Sequence, residues 1–154
     1  MLEIGSGEGL DALALKNADY DVIASDFADS FIEMLRAKGL KVLSLNAKTD
    51  SIPEDVQPLD GVYANAVFVH FSPEEFKQTL QKIYNILRPG GYLYCSVILG
   101  QGYEVAGRAK GIEREFYYYD EGKIRKVVAK AGFAVDLLEQ PIDEKWLHVI
   151  AHRV

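Results

Sequence analysis

The stretch Leu2-Glu3-Ile4-Gly5-Ser6-Gly7-Glu8-Gly9-Leu10 constrains the fold of this chain more than any other. Leu2 and Ile4 suit a buried strand and run straight into alternate glycines. Leu10, Ala12, Leu13, Ala14 and Leu15 then supply the apolar content of a helix. A strand that turns into a helix through glycines brings backbone N–H groups and the positive helix end close to a ligand. Without a Cβ, the main chain itself can lie against that ligand. The same spacing also fits a tight turn that binds nothing, and the residues that follow decide between the two.

Strand and helix patterns alternate from there. A helix is predicted from Leu10 to about Asn17, a strand over Tyr20–Ser25 ending in Asp26, a helix from Asp29 or Ser30 to Lys38, and a strand over Lys41–Leu45. Asn46 to Pro58 holds two prolines and reads as loop. A fourth strand is predicted over Leu59–Asn65, continuing through Ala66-Val67-Phe68-Val69 towards His70. Ser72-Pro73-Glu74-Glu75 is a helix start, with Ser at N-cap, Pro at N1 and Glu at N3. Arg88-Pro89-Gly90-Gly91 ends that helix, and Tyr92–Leu99 reads as a strand covered on both faces. Gly100 to Arg114 reads as a mobile loop, Glu115–Tyr119 as an extended aromatic run, and Asp120 as the cap of a helix through Lys130. Phe133–Leu138 and Trp146–His152 close the chain with no helix between them, which predicts an antiparallel pair at one edge. The whole reads as one α/β domain over residues 1–154. It is a Rossmann-like doubly wound sheet of seven strands, mostly parallel with a C-terminal antiparallel hairpin.

Charge and cysteine usage narrow the function classes. A net charge of −6 counts against a protein that holds nucleic acid by bulk electrostatics. Cys95 is the single cysteine, so no intrachain disulfide forms and a reducing compartment fits. No apolar run approaches the roughly 20 residues of a membrane span, and no signal peptide is apparent. A cytoplasmic protein without membrane contact is expected, and no metal site. A nicotinamide dehydrogenase is disfavoured because Leu10 stands where its glycine fingerprint requires a third glycine.

The glycine turn, Asp26, Asn46, the run to His70 and Leu87-Arg88-Pro89-Gly90-Gly91, taken in this order, resemble the class I S-adenosylmethionine-dependent methyltransferases. The resemblance covers nearly the whole chain, from the family's first strand to its last. Arg114 through Tyr119, Gly132-Phe133 and Trp146-Leu147-His148-Val149 look like a small stand-alone subset of it. It implies S-adenosyl-L-methionine as cofactor. Gly5, Ser6 and Gly7 would lie along its amino-acid part, with Glu3 holding that loop or the amino group. Asp26 would accept from the ribose hydroxyls, and Phe27 would cover the adenine edge. Asn46 would stand beside the adenine amino group, where many relatives have Asp. Asn65 and Ala66 would face the methionine portion near the sulfonium. Ligands of open α/β sheets bind beyond the carboxyl ends of the strands, where the strand order reverses, and Glu3, Gly5, Asp26, Asn46, Asn65 and His70 fall at or beyond such ends independently of the resemblance. Simpler roles stand beside these: Asp26 as a helix cap, Asn46 as a turn residue, Phe27 and Cys95 as core. Lys123, Arg125, Lys126 and Lys130 read as a solvated helix face, and His148 and His152 as surface or edge positions.

Methyl transfer is an in-line displacement in which the cofactor carries the reactivity and the protein aligns the partners. A general base is needed only for a protonated nucleophile. His70 is the histidine placed for that role, with a structural role in its turn as the alternative. A small-molecule acceptor is the leading expectation. The alternatives are an RNA, in particular tRNA, methyltransferase using Arg108, Lys110 and Arg114 as a basic contact, and a non-catalytic S-adenosylmethionine-binding or interaction subunit. The family's N-terminal helical region has no counterpart before Leu2, so the domain reads as N-terminally truncated. One wall of the cofactor site is then expected to face water, with cofactor affinity in the high-micromolar range or weaker. Apolar surface beside Met1 would invite a homodimer or a covering partner.

Overall fold

The structure, a computed structural model, describes residues 1–108, 112–141 and 145–154; the side chains of residues 107, 108, 112 and 113 fall outside that description. In chain order the elements are β1 (Leu2–Ile4), α1 (Leu10–Asn17), β2 (Ile23–Asp26), α2 (Asp29–Ala37), β3 (Lys41–Ser44), β4 (Leu59–Ala64) and α3 (Pro73–Ile86). Then follow β5 (Leu87–Leu99), β6 (Tyr103–Arg108), β7 (Ile112–Tyr119), α4 (Glu121–Lys130), β8 (Phe133–Glu139) and β9 (Trp146–Arg153).

The main sheet runs β3-β2-β1-β4-β5-β9-β8. Its first five strands are parallel, and β9 lies antiparallel to both β5 and β8. The parallel strands and the terminal antiparallel pair are as the βα alternation predicts, but the strand count is not: β7 joins the end of β5 and β6 pairs with β7, so the sheet has nine strands and not seven. The chain moves outward from β1 to β3 and then returns to the other side of β1 with β4. The order therefore reverses between β1 and β4, and a crevice opens beyond their carboxyl ends.

Period-two alternation divides the core. Leu2, Ile4, Val62, Ala64, Leu93, Cys95, Val97, Leu147, Val149 and Ala151 point to one face, where Phe76, Leu80 and Ile83 of α3 and Ile124 and Val128 of α4 close the main apolar cluster. Full burial of side chains of this size is worth roughly 1.5–3 kcal/mol each. A smaller cluster on the other face joins Ala12, Ala24, Leu35 and Leu40 under α1 and α2. The start of α3 carries the full capping box: Ser72 Oγ accepts from the Glu75 N–H, and the Glu75 carboxylate accepts from the Ser72 N–H.

Four expectations are corrected. β4 ends at Ala64, and Phe68–His70 forms a 3-10 turn instead of a strand continuation. Phe68 and Val69 are apolar because that turn is buried: Phe68 stacks on Phe76 at 4.5 Å and meets Phe71 edge-on at 5.4 Å. β5 begins at Leu87, so Arg88-Pro89-Gly90-Gly91 lies in a strand, with a register shift against β4 between Leu59 and Gly61. β5 is covered on both faces only from Cys95 to Ile98; nearer its start Tyr92 is 53% exposed. The predicted mobile loop is instead the β6–β7 hairpin, with Tyr103 opposite Tyr117 and Val105 opposite Glu115. Its second strand extends the end of β5 in parallel at Ile98–Tyr118 and Leu99–Tyr119. Lys110 lies outside the described residues, as does the Arg108 side chain.

The helix-face reading holds for Lys123, Arg125, Lys126 and Lys130, which are exposed on α4. His148 and His152 sit on β9 between β5 and β8, not on an edge strand. Among the described residues no helix is long and apolar enough to cross a membrane.

Candidate active site

The turn after β1 is sewn to the end of β2. Ser6 N–H donates to Ser25 O at 2.8 Å, and Ser25 N–H donates to Ser6 Oγ at 3.0 Å. Ser6 Oγ in turn donates to Glu3 Oε2 at 2.7 Å, and Ser25 Oγ donates to the Glu3 carbonyl at 2.6 Å. Gly7 N–H donates to Asp26 Oδ2 at 3.0 Å, and Ala28 N–H donates to Asp26 Oδ1 at 3.0 Å. Six residues from two segments, Glu3, Ser6 and Gly7 on one and Ser25, Asp26 and Ala28 on the other, thus hold one loop in one shape. Ser25 escaped the sequence reading, since a serine in a short strand gives no signal of its own.

The glycines of this loop serve different ends. At Gly5 (φ +71°) an added Cβ would lie 2.6 Å from Val67 Cγ2, so packing forbids a side chain. At Gly7 (φ +51°) it would meet nothing within 4 Å. The Gly7 backbone therefore faces open space, with the N–H of the same residue pinned to Asp26. That combination leaves a bare main-chain surface on which a ligand can rest.

Two carboxylates flank the loop, both buried. The Asp26 oxygens accept two backbone N–H groups and keep further acceptor capacity, since a carboxylate offers about four lone-pair sites. Burial, with the negative charges of Asp11 and Asp26 adding to it, pushes the Glu3 carboxyl up to about 7 against the hydrogen bond from Ser6. No cationic side chain among the described residues offsets it. A cationic ligand group beside Glu3 would relieve that cost.

The crevice beyond these strands has a volume of about 400 Å³ and is lined by Ser6, Glu8, Leu10, Asp11 and Asn65. Leu10 is 69% exposed there, an apolar side chain left uncovered at the mouth of a polar cleft. Asp26, Phe27 and Asn46 stand outside this cleft at the carboxyl ends of β2 and β3. Phe27 is 70% exposed, so it is not core. Asn46 Oδ1 accepts from the Lys48 N–H at 3.1 Å and its own N–H donates to Asp50 Oδ2 at 2.8 Å, which makes it a turn residue with acceptor capacity left over.

On the other side, Asn65 bridges two walls. Its Nδ2 donates to Asp11 Oδ2 at 3.0 Å and its Oδ1 accepts from Ser96 Oγ at 2.7 Å. Ala66 takes φ +57°, a left-handed conformation that costs an L-residue roughly 1–2 kcal/mol. His70 lies further along that turn. Its Nδ1 is 3.1 Å from the Glu115 carbonyl, and its ring meets Phe116 edge-on at 4.7 Å. A carbonyl oxygen only accepts, so Nδ1 carries the hydrogen and the lone pair of the neutral ring is on Nε2. Asp11 and Ser96 were missed as site residues: the first reads as a helix-dipole residue, the second as one polar position in an apolar strand.

A crevice at the switch point of a doubly wound sheet, with a glycine loop on one side and a buried carboxylate after the second strand, defines a nucleotide-type cofactor site. The comparisons place it in a family. Residues 1–91 match the family model described as a methyltransferase domain. A solved S-adenosylmethionine-dependent methyltransferase from Methanosarcina mazei superposes with a TM-score of 0.85 at 18% identity, covering 99% of this chain and 91% of that one. The CcbJ methyltransferase from Streptomyces caelestis gives a TM-score of 0.81 at 12% identity, covering 99% of this chain and 82% of that one. The glycopeptide N-methyltransferase MtfA, solved with S-adenosyl-L-methionine, gives 0.79 at 12% identity, covering 99% of this chain and 86% of that one. At such identities these structures show a shared fold. No curated protein sequence matches the chain. The chain belongs to the class I S-adenosylmethionine-dependent methyltransferase family, and S-adenosylmethionine is its cofactor.

Proposed function

We propose that this domain transfers the methyl group of S-adenosylmethionine to a small-molecule acceptor bound beside Asn65 and Ala66. The observation that carries the reading is the Gly5-Ser6-Gly7 loop, fixed by Asp26 and Ser25 and bare at Gly7. The residues fit the cofactor by their chemistry. Gly5, Ser6 and Gly7 hold the amino-acid part along the main chain, and the buried Glu3 carboxylate neutralises its ammonium. The spare lone pairs of Asp26 accept from the ribose diol. Phe27 offers an uncovered ring to the adenine, and Asn46 an amide beside the adenine amino group. Asn65 and Ala66 border the methionine portion. When bound, the cofactor supplies an electrophilic methyl group on a sulfonium.

The protein's own contribution is alignment of the acceptor with the methyl group. His70 is the candidate general base. Its Nδ1–H is held by the Glu115 carbonyl, which presents Nε2 as the nitrogen that takes a proton from a hydroxyl or ammonium acceptor. A net charge of −6 favours a small acceptor over an RNA held by bulk electrostatics.

Calorimetry with S-adenosyl-L-methionine, followed by transfer of labelled methyl to a metabolite extract and to total RNA in parallel, tests the reading. Label confined to low-molecular-weight products is the expected result, and label in RNA overturns the acceptor class. With an acceptor in hand, turnover is expected to rise with pH along the limb on which the general base loses its proton. His70→Ala is expected to flatten that limb, and an unchanged profile in that variant assigns His70 to the turn alone.

A further inference from the structure

The turn at the end of β4 is held by a directional chain of three hydrogen bonds. The Ala66 N–H donates to Ser96 Oγ at 2.8 Å. The Ser96 hydroxyl donates to Asn65 Oδ1 at 2.7 Å, and Asn65 Nδ2 donates to Asp11 Oδ2 at 3.0 Å. Chemistry fixes the polarity at every link. A backbone N–H only donates, so the single Ser96 proton points to Asn65. The Asn65 amide must then turn its oxygen to Ser96 and its nitrogen to the Asp11 carboxylate. Ser96 is fully buried in the middle of β5, whereas Asp11 lies on the first turn of α1 and Asn65 is exposed. The chain thus runs from the sheet interior, through the turn, to the helix that forms the opposite wall of the cleft.

The conformation it holds is one the sequence does not favour. Ala66 is left-handed without being glycine, a state that persists only where surrounding bonds over-determine it. Strand β5 buries Cys95 and Val97 on the core face, so a hydroxyl at Ser96, on the opposite face, contributes little to apolar packing. Two of its bonds go to the two consecutive residues of the strained turn, and Tyr94 on the same face also interacts with it.

We propose that Ser96 is a positioning residue for methyl transfer: its buried hydroxyl locks the Asn65–Ala66 turn and links it to Asp11, setting the geometry of the methionine end of the cofactor cleft. The proposal rests on the reading that Asn65 and Ala66 border that portion of the cofactor. The ribose and adenine contacts on β2 and β3 belong to other loops and do not depend on Ser96.

The test compares S-adenosyl-L-methionine with adenosine as probes, titrated into wild type, Ser96→Ala and Ser96→Thr. Ser96→Ala is expected to weaken S-adenosyl-L-methionine binding about tenfold, the order of one lost hydrogen bond, while adenosine affinity stays within about twofold. Ser96→Thr keeps the hydroxyl and is expected to retain the wild-type preference. Unchanged affinity for both probes in Ser96→Ala overturns the proposal, and so does an equal loss for both, which marks a purely structural role. If Ser96→Ala does not fold, Ser96→Cys keeps the shape with weaker bonds and carries the same two outcomes. Amide shifts of the wild type test the underlying reading separately. Larger movement of Asn65 and Ala66 on adding S-adenosyl-L-methionine than on adding adenosine supports it. Equal movement removes that reading, and the proposal with it, whatever the variants do.

Discussion

Asp26 holds the Gly7 and Ala28 N–H groups, and the proposed ribose contact would use its remaining acceptor capacity. Asp26→Ala is therefore expected to lose about 1–3 kcal/mol of stability, read by denaturant unfolding, and to weaken cofactor binding on the order of 10- to 100-fold, read by calorimetry. Glu3 gives a pH signature. Its folded-state value of about 7 lies above the ordinary 4.5, so the native protein holds a proton that the unfolded chain releases. The contribution of Glu3 to stability is then greatest below about 4.5 and falls as pH rises through 7, by roughly 3 kcal/mol in all. Unfolding free energies measured across that range are expected to slope downward with pH, and Glu3→Gln is expected to flatten the slope. Gly7→Val is expected to fold with a penalty for its positive φ and to abolish cofactor binding, because the branched side chain fills the space above the loop. Cofactor affinity retained in a folded Gly7→Val protein would show that no ligand rests on Gly7.

Elements with a local cause match their sequence signals closely. α1 spans Leu10–Asn17 as expected, and the capping box at Ser72 forms with both of its hydrogen bonds. Ser72→Ala is expected to cost about 1 kcal/mol in thermal or denaturant unfolding. Elements with a long-range cause do not match. The apolar run Val67-Phe68-Val69 reports burial, which a 3-10 turn packed on Phe76 satisfies as well as a strand does. The β6–β7 hairpin lies in a stretch where Gly100, Gly102 and Gly107 suppress any strand signal. It forms because Tyr118 and Tyr119 pair with the end of β5, and its Glu115 carbonyl then reaches His70. The sequence places His70 near the site, but the partner that sets its tautomer comes from 45 residues further along.

Across the molecule the two sheet faces differ. One is apolar under α3 and α4, and the other carries the smaller apolar cluster under α1 and α2 together with Glu3, Tyr63, Tyr94 and Ser96. There Tyr63 and Tyr94 stack at 4.5 Å, and Tyr94 Oη lies 2.7 Å from His148 Nδ1. Cys95 points into the core between Tyr94 and Ser96, and burial pushes its thiol up to about 12. Thiol labelling at neutral pH is expected to be negligible in the native protein and to track global unfolding as denaturant is added. Labelling at the rate of an exposed thiol would show that β5 opens locally. By itself the sequence determined the βα alternation, the parallel sheet with its closing hairpin, and the loop residues from Gly5 to Asp26, because periodicity and glycine chemistry are local properties. The tertiary structure alone decided that Ser25 is bonded to Ser6 and Ser96 to Asn65 and Ala66, that Ala66 is left-handed, and that Glu3 is buried beside Asp11 and Asp26. Each of those facts depends on strands and helices brought together from distant parts of the chain, and no local pattern encodes which of them become neighbours.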